Sequence, residues 1–351
     1  MNKYIKKTLV AASVLWLGAA STAHAQEPIQ LELSNWLTSA AAISVGAMEP
    51  WKKLVEEKTN GRVKVNLYHG GVLGTSKTVL EDVKGGVYHV GMAVPAFYYD
   101  TDYFKLLVGE LPFAFSGAAT GSKVMAEFVE KHGKDVYDKL GVKNVAIVVS
   151  DPYIMLATKP IRKLEDLKGE RVRVVGKAWV PIAKNWGAVP TPMQVENAYT
   201  SLERGTLTVM QYSPSGAAGW KLFEAAPYVT AVNSPAVVLN MVMNKAFYEK
   251  LPADLKTMFD EELNPAFQQL IAQTYERGAP EALKKMEEHF KEKGKGEVIH
   301  LSPDERAKFV VSTKPAWDAW IDEANKRNMS GDALMADFKE ILKNNGISTP
   351  F

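Results

Sequence analysis

The chain has 351 residues, room for two or three ordinary domains. Hydrophobic residues make up 46% and charged residues 23%, the balance of a folded globular chain rather than a disordered one. There is no Cys, which excludes disulfide scaffolds, thiolate zinc sites, iron–sulfur clusters and cysteine nucleophiles together.

The N-terminus reads as an export signal. Lys3, Lys6 and Lys7 form a basic start, and residues 8–20 are mostly apolar but too short to span a bilayer comfortably. Ala23-His24-Ala25 supplies the small-x-small pattern ahead of a cut before Gln26. Residues 1–25 are therefore expected to be removed, leaving a free protein in the periplasm. Removing three lysines and no acidic residue takes the formal charge from +2 to −1. A near-neutral chain offers no electrostatic case for nucleic acid or for an anionic membrane surface.

Beyond the signal, strand-like and helix-like stretches alternate, which predicts an α/β architecture with largely parallel sheets. Residues 29–33 alternate as a short strand. Residues 40–58 have helical spacing, with Trp51, Leu54 and Val55 on one face. Residues 62–68 alternate again, Gly70-Gly71 turns the chain, and a helix over 76–84 leads to a strand over 88–94. Residues 145–149 and 236–243 are continuous apolar runs and read as strands buried on both faces. Between them lies a segment with its own rhythm: strand 171–175, helix 178–186, strand 189–193, helix 195–204, strand 207–212. The chain is thus expected to leave one lobe near residue 150 and return near 238, giving two lobes joined by crossing strands. A long helical stretch follows over 252–292, with kinks or breaks expected at Pro265 and Pro280. A short strand over 297–301 and helices over 303–326 and 331–344 close the chain.

No catalytic signature is present: no G-x-S-x-G, H-E-x-x-H, P-loop or G-x-G-x-x-G after a strand. The five histidines after the signal are not spaced as metal ligands, so neither a metal nor a cofactor is expected. What remains is binding. In the strand 171–175, Val172 and Val174 point to one face and Arg171 and Arg173 to the other. Ligands in open α/β sheets sit beyond the carboxyl ends of strands, and an Arg there can fork onto a carboxylate. An Arg on a solvated strand face, paired with a surface acid, is the alternative, and on spacing alone it is the better reading.

Asp166-Leu167-Lys168-Gly169 followed by Val172-Arg173-Val174 resembles the D-L-K-G-x-K-[IL]-R-V signature of solute receptors of tripartite ATP-independent periplasmic (TRAP) transporters, the dicarboxylate-receptor type. Gly61-Arg62-Val63-Lys64-Val65, Leu73-Gly74, Leu111-Pro112-Phe113, Gly187-Ala188 with Pro190 and Pro192-Met193, and Tyr199, Leu202 and Gly205 match that family in order and spacing. Asn244-Lys245 fits as well, so the likeness covers nearly all of the chain after the signal. The resemblance implies a periplasmic binding protein-like fold of class II type: two α/β lobes hinged by crossing strands and a long helix, with the ligand in a cleft between them. It implies a receptor without enzymatic activity that delivers an organic acid to small and large membrane permease subunits. Arg173 matches the arginine that grips the ligand carboxylate in that family.

On this basis residues 26–150 and about 238–278 are assigned to lobe I, 151–237 and about 279–330 to lobe II, and 331–351 to a C-terminal helix and tail. The departures bear on the ligand. Thr208 and Val209 stand where the family has D-G, and S-E-x-Y becomes Glu196-Asn197-Ala198-Tyr199. Tyr153 stands where some acidic-sugar receptors carry a second Arg, which points to one carboxylate rather than two. Trp36, Phe97, Tyr98, Tyr153, Trp179 and Tyr212, with Ser213 beside the last, are the expected cleft wall. The expected ligand is a monocarboxylate with an aromatic or apolar body, with a sugar acid as the alternative. A periplasmic enzyme acting on small acids is the remaining, weaker alternative.

Overall fold

A computed structural model describes residues 27–351; the signal-like segment 1–25 lies outside the described residues. Strands β1 (Ile29–Ser34), β2 (Val63–Tyr68), β3 (Val90–Ala93), β4 (Val142–Val149) and β10 (Val238–Asn244) form one sheet, in the order β2-β1-β3-β10-β4. Strands β5 (Ile154–Ala157), β6 (Arg171–Val174), β7 (Val189–Pro192), β8 (Val209–Tyr212), β9 (Tyr228–Thr230) and β11 (Glu297–Ile299) form the second, in the order β11-β9-β5-β8-β6-β7. Each sheet carries helices and makes its own lobe, and the chain has the two-lobed α/β periplasmic binding fold.

Neither sheet is wholly parallel. β10 runs antiparallel to both β3 and β4, and β5 antiparallel to both β8 and β9. These are the strands that the crossings deliver. A chain arriving from the other lobe enters its new sheet from the opposite end, so its first strand runs against its neighbours. The two crossings also pair with each other. Ser150 N donates to Val237 O at 2.9 Å, Tyr153 N to Pro235 O at 2.8 Å, and Ser234 N to Tyr153 O at 3.0 Å. Among the elements beyond the sequence reading are β5, β9, the helix Lys134–Leu140 and the helix Ala118–His132, whose Val124, Met125 and Phe128 are buried beside β4.

Ala253–Met258, a widened turn over Phe259–Leu263 and Asn264–Lys293 follow one another without a break. Phe267, Ile271, Tyr275, Ala282, Met286 and Phe290 are buried along this helix at the spacing of one face. The ring of Pro265 would crowd the carbonyl four residues back, and Glu261 there lies within the widened turn. The break expected at Pro280 does not occur. Trp51 of the first lobe stacks on Phe267, with centroids 4.4 Å apart, and Phe223 of the second packs edge-on to Phe290 at 6.2 Å. Packing at both ends outweighs the single backbone hydrogen bond that a proline removes. Lys314–Lys326 also touches both lobes. Trp320 stacks on Phe104 at 5.8 Å, and Trp317 Nε1 donates to Pro112 O at 3.0 Å. At the adjoining helix end, Ser312 Oγ accepts from Trp186 Nε1 of the second lobe.

Candidate functional site: a cleft around Arg173

Alternation along β6 decides where Arg173 goes. Val172 and Val174 are buried on one face, so Arg173 leaves on the other. That face is not solvated: Arg173 is 2% exposed, whereas Arg171, two residues earlier, is exposed. Arg171 bonds outward, through Nε to Thr206 O at 3.1 Å and Nη2 to Gly205 O at 2.5 Å. Arg173 Nε donates to Met193 O at 2.9 Å and Nη1 to Gln211 O at 3.2 Å, which fixes the plane of the guanidinium. None of the ion pairs among the described residues includes Arg173. Burial pulls its pKa below the ordinary value, while the phenols of Tyr153 and Tyr212 and the charge of Glu196 act the other way. An Arg so placed stays charged.

The guanidinium opens on a cleft that reaches solvent between the lobes. Of the wall residues expected from the sequence, Trp36, Phe97, Tyr153, Tyr212 and Ser213 line it together with Arg173. Tyr212 lies with its ring centroid 5.6 Å from the guanidinium carbon, and Tyr153 tilts against Tyr212 at 5.6 Å. Trp36 Nε1 donates to Met92 O at 2.9 Å, which holds the indole against the wall. Ser213 Oγ accepts from Gly216 N at 3.0 Å and caps the short turn Pro214–Gly219. Arg173 is the sole basic residue among those lining the cleft.

Tyr98 and Trp179 do not line it. The Tyr98 hydroxyl donates to Lys77 O at 2.9 Å and accepts from Leu80 N at 3.1 Å, which turns the ring toward its own lobe. Trp179 lies in a 3-10 turn, Lys177–Trp179, is 1% exposed, and donates from Nε1 to Glu110 Oε2 at 2.9 Å. It borders a separate pocket, with Glu110, Phe104 and Trp320. Trp220 and Tyr275 were not anticipated as lining residues, yet both face the cleft. Trp220 comes after β8 only beyond the turn Pro214–Gly219, so the strand-end position that marked Tyr212 carries no signal for it. Tyr275 shares the buried stripe of the long helix and carries no signal separating wall from core.

Two carboxyls are buried close by. Burial pushes the Asp151 carboxyl up to about 6, against hydrogen bonds from Ser215 N at 2.9 Å and Ser215 Oγ at 2.7 Å. Burial pushes Glu110 up to about 8, against donors Trp179 Nε1 and, at 3.2 Å, Val238 N. No group of three His, Asp or Glu among the described residues converges as a metal site. At the cleft's mouth the lobes touch. Ser76 Oγ donates to Glu196 Oε1 at 3.0 Å, and Lys177 pairs with Asp100. A Cβ on Gly176 would fall 2.3 Å from Ala96 O, so only glycine allows this approach of the two backbones.

Two lobes meeting over a cleft that a buried cation lines are the class of site that holds a small acidic solute. The comparisons agree with that class. The model of the bacterial extracellular solute-binding protein family 7, DctP, matches residues 35–323, and the chain belongs to this family. The C4-dicarboxylate-binding periplasmic protein DctP of Rhodobacter capsulatus is 26% identical over 323 residues, 91% of this chain and 94% of that protein. A TRAP solute-binding protein from Rhodoferax ferrireducens, solved with copurified benzoate, superposes with a TM-score of 0.83 at 20% identity, covering 91% of this chain and 98% of the other. A marine-metagenome TRAP solute-binding protein specific for aromatic acid ligands, solved with metahydroxyphenylacetate, gives 0.82 at 23% identity, covering 90% and 99%. Among the described residues no helix is long and apolar enough to cross a membrane.

Proposed function

We propose that this protein is an exported receptor that captures an organic acid bearing one carboxylate on an aromatic or apolar body. It then presents the closed form to the small and large membrane subunits of a TRAP transporter. The observation that carries the reading is a buried guanidinium without an ion-pair partner among the described residues, opening on an aromatic-walled cleft. A buried charge without a partner costs several kcal/mol, so the site favours an anion that supplies one. The backbone bonds of Nε and Nη1 pre-set the guanidinium plane for two parallel hydrogen bonds to a carboxylate. With no second basic residue in the lining, a second carboxylate would be left unpaired.

The ligands named for the Rhodoferax and metagenome proteins support an aromatic body, whereas the name of the Rhodobacter relative points to C4-dicarboxylates. A sugar acid is the second reading. Ser150, Ser213 and Ser215 in the wall favour it, because they could serve ring hydroxyls. Mass spectrometry of whatever copurifies, followed by a melting panel of benzoate, phenylacetate, succinate and galacturonate, tests all three. A ligand at 100 times its dissociation constant stabilises by about 2.7 kcal/mol. Larger shifts with benzoate or phenylacetate are expected, and a clear lead for succinate or galacturonate would overturn the monocarboxylate reading. Residues 1–25 are proposed to be cleaved, so periplasmic protein should begin at or near Gln26.

A further inference from the structure

Among the described residues, Glu196 and Ser76 join the lobes where the cleft opens. Ser76 lies between β2 and the helix Val79–Gly85 of the first lobe, is 1% exposed, and lines the cleft. Glu196 lies in the turn Val195–Asn197 of the second lobe, directly after β7, and is exposed. The Ser76 hydroxyl donates to Glu196 Oε1 at 3.0 Å across the gap. Glu196 is also a carboxylate whose field reaches both Arg173 and the Tyr212 ring over it. One side chain therefore bridges the lobes and places a negative charge at the rim of a cleft whose base is positive.

We propose that Glu196 is a specificity-determining residue: its hydrogen bond to Ser76 latches the lobes over a bound acid, and its charge repels a second carboxylate at the mouth. This rests on the carboxylate reading above. An acid held by Arg173 and carrying only apolar groups outward meets no penalty at the rim. A diacid of the same size brings a second anion toward Glu196 with no basic residue in the lining to pair it. The latch exists only while the lobes touch, so it adds to the closed state alone and slows release.

The two roles separate by mutation. Glu196→Gln keeps an oxygen that can accept from Ser76 but removes the charge. Ser76→Ala keeps the charge but removes the donor. The probes are 3-methylbenzoate and isophthalate, alike in size and differing by one carboxylate, titrated by calorimetry with dissociation followed by stopped flow. Wild type is expected to prefer 3-methylbenzoate. In Glu196→Gln the preference should narrow about tenfold, equivalent to roughly 1.4 kcal/mol. The wild-type preference should itself weaken as salt rises, because a rim charge is screened. Ser76→Ala should release both acids several-fold faster by the same factor. If wild type binds 3-methylbenzoate but Glu196→Gln leaves the ratio unchanged, the rim-charge inference falls while the receptor reading stands. If wild type binds neither acid, the aromatic-carboxylate reading falls and takes this inference with it.

Discussion

Arg173 and Glu110 are both buried, both surrounded by aromatic rings and both placed where the lobes meet, yet their polar atoms are provided for differently. Glu110 receives a protein donor at each oxygen, Trp179 Nε1 at one and Val238 N at the other. Arg173 gives Nε and Nη1 to two backbone carbonyls and meets no carboxylate of its own chain among the described residues. The comparison separates two uses of a buried ionisable group. One whose hydrogen-bonding capacity is met from within is a joint of the fold. One whose capacity is left open toward a cleft is a place for something else.

Removing the arginine side chain tests the second half most sharply. Arg173→Ala should weaken binding of the copurified acid by about 2–4 kcal/mol, because the carboxylate loses its partner inside a desolvated site. Arg173→Lys keeps the charge without the planar fork and should also bind clearly more weakly. Arg171→Ala should change affinity little, since Arg171 bonds outward to Thr206 and Gly205. Calorimetric titration of the three folded variants decides. An Arg173→Ala protein that binds like wild type removes the distinction drawn above.

Trp179→Phe tests the first half. It keeps an aromatic ring but leaves Glu110 Oε2 without its donor, so it should cost about 1–3 kcal/mol of stability in denaturant titration. Affinity should fall far less than in Arg173→Ala, because Trp179 does not line the cleft.

The pH dependence follows from the same burial. The folded-state value of Glu110, about 8, lies above its ordinary 4.5, so the folded protein holds this proton more tightly than the unfolded chain. Its contribution is fully present below 4.5 and is lost as pH rises through about 8. Asp151, raised to about 6 from 3.8, works in the same direction over a lower window. Melting temperature should therefore fall between pH 5 and 9 by these contributions, and Glu110→Gln should flatten the upper part of that fall. A profile in Glu110→Gln that parallels wild type above pH 7 would show that Glu110 is already ionised in the fold. The smallest effect is expected from Tyr98→Phe, which loses hydrogen bonds to Lys77 O and Leu80 N near the surface. Stability should drop by about 0.5–1.5 kcal/mol with ligand binding unchanged.

Most of the framework was legible before any coordinates. The apolar runs around 145–149 and 236–243 are long enough and apolar enough to be read as β4 and β10. The period-two pattern around Val172 and Val174 assigned Arg173 its face. Those are local properties: a strand alternates, so a residue's face follows from its neighbours alone. The side of the sheet carries no statement about what covers it, which is why spacing alone favoured a solvated Arg173 while the fold buries it to 2%. The direction of β5 and β10 was equally hidden, because antiparallel entry is set by which lobe the chain arrives from.

The aromatic wall shows the boundary most clearly. Trp36, Phe97, Tyr153 and Tyr212 sit at or beside strand ends and line the cleft, and the family resemblance together with that position picked them out from sequence. Trp179 shares both marks and goes elsewhere, because a buried carboxylate from residue 110 offers its indole an acceptor. Tyr275 has no such position and arrives from a helix more than a hundred residues beyond Tyr153. Strand position and face are written in short-range periodicity. Which ring lines a cavity depends on hydrogen-bond partners and helix placement supplied from distant parts of the chain, and only the packed tertiary structure brings those together.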